Sequence, residues 1–189
     1  MVCWVCWAKN RNYPFISYTK TTSTNDKAKE YCTDEQEHKQ LLFITESQTK
    51  GRGRRDKKWI NSDMMISWSY ILDKAPQPIT TKLMGIALHT ALKNTWRECS
   101  FKIKQPNDIY VNNKKMAGIL IEATNQGTLH QLIIGAGMNV FTHPGDSLFT
   151  RLQEHTKEMN EKKWFSFFDK WNTEIKNTIP SCTEIVIPA

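Results

Sequence analysis

Arginine and glycine residues alternate in one short segment of the chain, residues 50–58, which we name the basic loop. Its central run, Gly-Arg-Gly-Arg-Arg at residues 51–55, combines two useful properties. Glycine lets the backbone approach a ligand closely, and each guanidinium group pairs with carboxylate or phosphate oxygens. The basic loop is therefore predicted to surround a compact anion. It lacks the spacing of a Walker A motif. A solvated basic loop or an RNA-binding Arg-Gly loop would explain the same residues.

Two further motifs place polar groups next to short strands. After Pro106, the pair Asn107 and Asp108 can hold an amide and a carboxylate at fixed positions, although a capped turn is the alternative. Lys115 then enters an apolar strand, where an ammonium group is costly to bury unless an anion pairs with it. Gly118 follows in mid-strand and predicts close approach of a ligand or another backbone. An edge lysine that prevents aggregation is the alternative for Lys115.

The run Gly135-Ala136-Gly137-Met138-Asn139 ends another strand but opens no helix. A dinucleotide-binding fingerprint needs a helix directly after the glycines, so that interpretation fails. Two glycines on one strand instead predict a surface against which a flat ligand lies.

The elements that must position these motifs follow from hydrophobic spacing. Strands are predicted at residues 13–18, 41–45, 64–72, 101–104, 109–111, 114–123 and 129–140. Turns are predicted at Asn112-Asn113 and at 125–127, because asparagine and glycine tolerate positive φ. Helices are predicted from Ser23 to about Cys32, over residues 79–97, and in the C-terminal third, where apolar residues recur at helical spacing and Pro180 is expected to end the helix. These recurring residues are Trp164, Phe168, Trp171 and Ile175.

This order of elements predicts an α+β fold with a mixed, mostly antiparallel sheet flanked by helices. The length of 189 residues fits one ordinary domain, and an apolar fraction of 39% can build its core. We place the domain at residues 1–180 and treat 181–189 as a short C-terminal tail.

The formal net charge of +7 makes an anionic partner plausible, and the basic loop alone contributes +5 of it. Such concentration favours a compact polyanion over a long nucleic-acid track. The five cysteines predict no disulfide ladder, and a reducing cytoplasm is the simplest interpretation. Cys3 and Cys6 have C-x-x-C spacing but lack a second zinc-type pair, so we expect the apolar N-terminal residues to pack on the domain. No segment has the length of a membrane span.

Taken in order, these motifs resemble the biotin protein ligase family over roughly residues 13–180. The shared elements are Ser23-Thr24-Asn25, the basic loop with Trp59, the Pro106-Asn107-Asp108 turn, Lys115-x-x-Gly118-Ile119-Leu120-x-Glu122, and Gly135-x-Gly137-x-Asn139. The Gly-Arg-Gly-Arg-Arg run distinguishes this family from its lipoate-ligase relatives.

The resemblance implies an enzyme that makes biotinyl-5′-AMP from biotin and ATP and then transfers biotin to a lysine of a carboxyl carrier domain. It implies Mg²⁺ with the ATP, although no residue is assigned as a metal ligand. The catalytic residues implied are Lys115, Arg52, Arg54 and Asp108. Those implied for biotin are Ser23, Thr24, Asn25, Gln48, Gly51, Arg52, Lys115, Gly118, Gly135 and Gly137. Those implied for the nucleotide are Arg54, Arg55, Trp59, Asn107, Lys115 and Asn139.

The chain departs from the family pattern in three places. Gln105 stands where relatives usually have Trp, and Asp56 where they often have Gly. We also expect the SH3-like C-terminal barrel of many relatives to be largely missing, with residues 183–188 as a strand stub. No helix-turn-helix domain precedes residue 13, so DNA is not expected as a partner, nor is a membrane. A homodimer remains open.

Three alternatives remain at this point. A lipoate or octanoate ligase would use the same scaffold with a different acid. A nucleic-acid-binding module would use the basic loop, but it predicts basic residues spread over a face. A non-catalytic carrier-binding protein would have lost Lys115 or the basic loop, both of which this chain retains.

Overall fold

A computed structural model describes residues 4–31 and 39–183. Its helices are α1 (Trp4–Asn10), α2 (Thr24–Glu30), α3 (Thr80–Thr95) and α4 (Glu161–Thr183). Its strands are β1 (Phe15–Thr21), β2 (Gln40–Gln48), β3 (Met64–Leu72), β4 (Phe101–Lys104), β5 (Asp108–Val111), β6 (Lys114–Gln126) and β7 (Leu129–Met138). Cys3, Cys32, residues 184–188 of the suggested strand stub and the side chain of Asp56 lie outside what is described.

Seven strands form one sheet in the order β1-β2-β3-β7-β6-β5-β4. Among the strands within residues 4–31 and 39–183, only the β1–β2 pair is parallel, and each other neighbouring pair is antiparallel. The prediction of an α+β fold with a mixed, mostly antiparallel sheet is therefore confirmed. Asn112 and Asn113 both have positive φ, 49° and 62°, in the β5–β6 turn, as predicted.

The two faces of the sheet pack against different helices, because successive side chains along each strand point to opposite faces. One face carries the large core, to which α1, α3 and α4 contribute, and it includes Trp68 of β3 and Ile134 of β7. The opposite face packs against α2 through a much smaller cluster, Ala28, Leu41, Phe43 and Ile133. Beyond that small cluster, the α2 face is free to present polar side chains and glycines.

Helix α4 continues past Pro180, so the prediction that this proline ends the helix is wrong. Proline lacks an N–H, and its ring crowds the preceding turn, which normally disfavours such a position. Here the last turn is held by tertiary packing: Cys182 is fully buried, its carbonyl accepts the backbone N–H of Gln77, and the Thr183 hydroxyl donates to the Pro180 carbonyl. Residues 181–183 thus continue α4, and Cys182 packs against the rest of the domain.

The N-terminal apolar residues pack on the domain, as expected, within the part described. Trp4 lies edge-on to Trp164 and Phe168, with ring centroids 5.2 and 4.6 Å apart. Cys6 is disulfide-bonded, which differs from the expectation of reduced cysteines, whereas Cys99 and Cys182 are free and buried. Every helix within residues 4–31 and 39–183 is too short or too polar to cross a bilayer.

Candidate functional site

The candidate site lies on the α2 face of strands β3, β7 and β6. The register sets Ser67 opposite Gly135 and Gly135 opposite Leu120, while Gly137 pairs with Gly118. The alternation of side chains puts Ser67, both β7 glycines and Gly118 on this one face. The strands therefore provide a floor of small residues beside the N-terminus of α2.

Four polar side chains form a continuous network at one end of this floor, which we name the Thr24–Glu122 network. The Ser67 hydroxyl lies 2.7 Å from Thr24 Oγ1 and 2.6 Å from Asn25 Oδ1. Asn25 Nδ2 donates to Glu122 Oε2 at 2.7 Å. Thr24, Asn25 and Ser67 are all buried. Hydrogen bonds thus connect the start of α2 both to β3 and to β6.

Glu122 lies at the centre of an ion group that fixes the root of the basic loop. Lys29 Nζ contacts Glu122 Oε1 at 2.7 Å, and Arg52 Nη2 contacts Glu122 Oε2 at 2.9 Å and Asp26 Oδ1 at 2.7 Å. Burial by itself raises the pKa of Glu122, but the hydrogen bonds from Lys29, Asn25 and Arg52 outweigh it and lower this pKa below its ordinary value. Glu122 is therefore a carboxylate at neutral pH.

The remaining residues predicted for biotin surround Thr24. Gln48 Oε1 accepts the backbone N–H of Thr24 at 2.8 Å, and Ser23 is the buried residue that precedes α2. A Cβ added to Gly51 would lie 3.1 Å from Gln48 Nε2, so this glycine permits a close approach. At Gly135, an added Cβ would lie 2.2 Å from Asn25 Oδ1. The space in front of Gly135 is thus taken by the Asn25 amide, not by a flat ligand.

The indole of Trp59 lies over the other end of the glycine floor. A Cβ added to Gly137 would come within 2.3 Å of this ring, and one added to Gly118 within 3.2 Å. Trp59 Nε1 donates to Ser62 Oγ at 3.3 Å, and the Lys115 ammonium lies 5.3 Å from the ring centroid. The flat group that these glycines accommodate in the structure is therefore a side chain of the protein.

Lys115 and Asp108 form an ion pair beside Trp59. Their Nζ–Oδ1 distance is 2.7 Å, and their side chains are 21% and 24% exposed, so both remain accessible to a ligand. The backbone of Lys115 is held on both sides, since its N–H donates to the Leu148 carbonyl and its carbonyl accepts from Thr150. The ammonium group thus projects from a fixed stretch of strand.

The basic loop folds back on itself. Arg52 and Lys58 form an antiparallel bridge, the Gly53 N–H donates to the Lys57 carbonyl at 2.6 Å, and Arg55 at the tip adopts a left-handed conformation with φ 56°. Arg54 Nη1 reaches Asn107 Oδ1 at 3.2 Å, which joins the loop to the β4–β5 turn.

The turn before Asp108 is itself held in place by a glycine of α3. A Cβ on Gly85 would lie 2.4 Å from the Pro106 carbonyl oxygen, so helix and turn can meet only at a glycine. Asn107 is buried and its Nδ2 donates to the Ile119 carbonyl at 2.7 Å. Gln105, one of the three departures from the family pattern noted in the sequence, is exposed.

The structure brings most of the predicted residues into three neighbouring groups. The first contains Ser23, Thr24, Asn25, Gln48, Gly51, Arg52 and Gly135. The second contains Trp59, Asp108, Lys115, Gly118 and Gly137, and the third pairs Arg54 with Asn107. Arg55 is exposed at the loop tip, and buried Asn139 directs its Nδ2 to the Thr150 carbonyl at 3.2 Å, where it secures the segment after β7.

Sequence reasoning missed four contributors. Ser67 was not distinguished from the other residues of an apolar strand, and Asp26 was not paired with Arg52. Gly85 could have been noticed as a glycine in mid-helix, which costs stability unless a close contact requires it. Asp63 accepts three backbone N–H groups, from Val140, Phe141 and Thr142, at 2.8–2.9 Å.

Within the described ranges, no group of three or more His, Cys, Asp or Glu side chains is arranged to hold a metal.

Comparison with known proteins identifies related sequences. Residues 16–139 match the sequence profile described as the biotin/lipoate A/B protein ligase family. The bifunctional ligase/repressor BirA of Escherichia coli is 34% identical over 103 residues, which cover 51% of this chain and 32% of that protein. The human biotin–protein ligase is 30% identical over 111 residues, which cover 53% of this chain and 15% of that protein. The matched stretch therefore spans a third or less of either relative.

Solved structures show the same fold. The biotin protein ligase from Aquifex aeolicus in complex with biotin and ATP superposes with a TM-score of 0.67 at 24% identity, covering 87% of this chain and 71% of that one. The biotin protein ligase from Leishmania major in complex with biotinyl-5-AMP gives 0.61 at 20% identity, covering 93% and 83%.

Proposed function

The chain belongs to the biotin/lipoate A/B protein ligase family, and on that premise we propose that it is a biotin protein ligase. The observation that supports this most directly is the pairing of two ends on one face of the sheet, where Asn25 covers Gly135 and Trp59 covers Gly118 and Gly137. The Thr24–Glu122 network, with Gln48 beside Thr24, stands at one end, and the Lys115 ammonium with the basic loop stands at the other. Such a site suits a molecule with a polar ring at one end and a carboxylate at the other.

The first step joins the biotin carboxylate to the α-phosphate of ATP and releases pyrophosphate. Two anions repel each other, so cations between them are needed to reach a reactive distance and to stabilise the developing charge. Lys115 is proposed to lie between the carboxylate and the α-phosphate, and Arg54 and Arg55 to hold the other phosphates. Arg52 is also proposed to approach the carboxylate and the phosphate; in the structure its Nη2 pairs with Asp26 and Glu122 at the root of the loop.

In the second step the amine of the acceptor lysine attacks the acyl carbon and AMP leaves. The amine is mostly protonated at neutral pH and must lose a proton before it attacks. Asp108 is the proposed acceptor or orienting group, and its ion pair with Lys115 supports this role. The acyl adenylate is hydrolysed by water, so the basic loop is proposed to cover it.

The other assignments are also proposals. Trp59 is half-buried and is proposed to stack on the adenine, with Asn107 and Asn139 near the nucleotide. Mg²⁺ enters with ATP as part of the substrate. The acceptor is proposed to be a biotin carboxyl carrier domain, and the compartment the cytoplasm.

The test is mass spectrometry of an acceptor domain after incubation with the chain, biotin and MgATP. The proposal expects one biotin added to one lysine, and no addition when biotin is omitted. Parallel reactions with lipoate and octanoate distinguish the related ligases that share this fold. Modification by one of those acids in place of biotin would overturn the substrate assignment, and salt-dependent nucleic-acid binding without ligation would favour the module interpretation.

A further inference from the structure

The donor and the acceptor of each hydrogen bond in the Thr24–Glu122 network can be assigned, starting from Glu122. A carboxylate can only accept hydrogen bonds, so the Asn25 atom 2.7 Å from Glu122 Oε2 must be the amide nitrogen. This fixes the orientation of the Asn25 amide, which is otherwise ambiguous between its oxygen and nitrogen. Asn25 Oδ1 therefore faces Ser67 and can only accept from it.

The same reasoning sets both hydroxyl groups. Ser67 has one hydrogen, and at 2.6 Å it must be donated to Asn25 Oδ1. The 2.7 Å contact between Ser67 and Thr24 is then a hydrogen bond only if Thr24 is the donor. Thr24 cannot also donate to Gln48 Oε1, which at 3.4 Å lies beyond the usual O–H···O distance. All four side chains thus have one allowed hydrogen-bond direction.

We propose that Ser67 is a positioning residue that fixes Thr24 Oγ1 as a hydrogen-bond acceptor for the ligand. Ser67 is itself oriented by Asn25, whose amide is oriented by Glu122. The inference rests on the proposed function, in which Thr24 contacts the ureido ring of biotin. With its hydrogen directed to Ser67, Thr24 offers the ligand lone pairs alone. The site consequently selects a ring that presents an N–H there and rejects a ring that presents an acceptor, because two facing acceptors leave both unpaired.

The experiment compares biotin with the two analogues in which a ring oxygen replaces one or the other ureido N–H. Pyrophosphate release with MgATP gives kcat/KM for each acid in the wild type and in Ser67→Ala. Without Ser67, the Thr24 hydroxyl can rotate and donate to the ring oxygen. Selectivity for biotin over one of the two analogues should then fall about tenfold, the value of roughly one hydrogen bond. Any loss with biotin itself should appear in KM more than in kcat, because the reacting carboxylate is at the other end.

Ser69→Ala is the matched control. Ser69 lies two residues further along β3 on the same face and is also buried, but its hydroxyl accepts from Gln131 Nε2 at 2.9 Å. Its removal should leave the selectivity at the wild-type value. A merely structural effect of losing a buried serine would appear in both variants, whereas the proposed role appears only in Ser67→Ala.

The outcomes separate the two proposals. If the wild type makes biotinyl-5′-AMP and Ser67→Ala keeps wild-type selectivity against both analogues, the role of Ser67 is wrong and the proposed function stands. If the wild type releases no pyrophosphate with biotin, both are wrong. Should Ser67→Ala fail to fold, Ser67→Cys fills the position with a slightly larger group that is only a weak donor, and it must show a reduced selectivity in the same direction.

Discussion

The two ends of the candidate site are built in opposite ways. At the Thr24–Glu122 network, side chains are buried or half-buried, and Asp26 and Glu122 balance the charges of Lys29 and Arg52. At the tip of the basic loop, four cations are exposed: Arg54, Arg55, Lys57 and Lys58. Among the described side chains of residues 54–58, the structure gives a single side-chain hydrogen bond, from Arg54 to Asn107.

This difference implies that the two ends have different functions in ligand binding. Groups whose directions and charges are satisfied before binding are preorganised, and they discriminate between ligands because a mismatched ligand cannot reorient them cheaply. Exposed cations are uncompensated, and they gain most when a phosphate arrives. Substitutions at the network should therefore alter which acid is used, and substitutions at the loop tip should alter how long the adenylate is retained.

The largest effect is expected at Lys115, which lies with Asp108 at the proposed reacting end of the site. Lys115→Ala removes the cation between carboxylate and phosphate and should lower the rate of adenylate formation about a thousandfold, the scale seen when one preorganised electrostatic contact is lost. The fold should persist, since Asp108 is partly exposed and remains solvated without its partner. Pyrophosphate release measures the rate, and circular dichroism confirms the fold. Lys114→Ala, which removes an exposed neighbouring charge, is the control, and a near-normal rate in Lys115→Ala would refute the assignment.

A methyl group added at Gly135 tests the network from the strand side. The new Cβ would lie 2.2 Å from Asn25 Oδ1, so the amide must move and the directions it sets are lost. Gly135→Ala should raise KM for biotin by about tenfold or more, as one or two hydrogen bonds are disturbed. In a double-mutant cycle with Asn25→Ala, the two changes should be strongly non-additive, because both remove the same amide. Additive effects would show that Gly135 acts independently of Asn25.

The same two ends show what the sequence could and could not predict. The basic loop, the Asn112-Asn113 turn and the glycines of β7 were found from the sequence because each depends on residue type and local spacing. The α+β fold followed from the order of hydrophobic segments. The resemblance to biotin ligases then identified a set of residues that the structure brings into three neighbouring groups.

The contacts that the sequence could not predict are long-range. Ser67 is a small polar residue in an apolar strand, and only its pairing with Asn25, 42 positions away, gives it a role. Pro180 was placed at a helix end because local chemistry disfavours its interior, yet burial of Cys182 overrides that preference. In both cases the contact depends on residues far apart in the sequence, and the local sequence pattern does not indicate which residue will be in contact.

A smaller effect is expected at the loop tip. Arg54→Gly removes the contact with Asn107 and a phosphate-binding cation, so the adenylate should leave the site several-fold faster, a loss on the scale of one exposed hydrogen bond of about 1 kcal/mol. Biotinylation of bystander amines in solution measures this release. Selectivity among acids should not change. Lys57→Ala lowers the loop charge equally without touching Asn107, and an equal leak from both variants would assign retention to overall charge instead.

The smallest effect on activity is expected at Asp63, which belongs to neither end. Burial tends to raise its pKa, but the backbone hydrogen bonds from Thr142, Val140 and Phe141 outweigh this and lower it. The stability it contributes is therefore complete above the unfolded-state pKa and is lost as pH falls through the lower folded-state value. At neutral pH, Asp63→Asn should reduce the free energy of unfolding by about 1–2 kcal/mol.

That difference from the wild type should shrink as the pH falls below about 4, where the wild-type carboxylate becomes protonated as well. Urea unfolding at several pH values measures it, and Asp73→Asn, at an exposed position after β3, is the control. Neither the selectivity among acids nor adenylate release should change, because Asp63 secures the segment after β7 without contacting either end. If the difference in unfolding free energy stayed constant down to pH 2, the contribution of Asp63 would come from its packing and not from its charge.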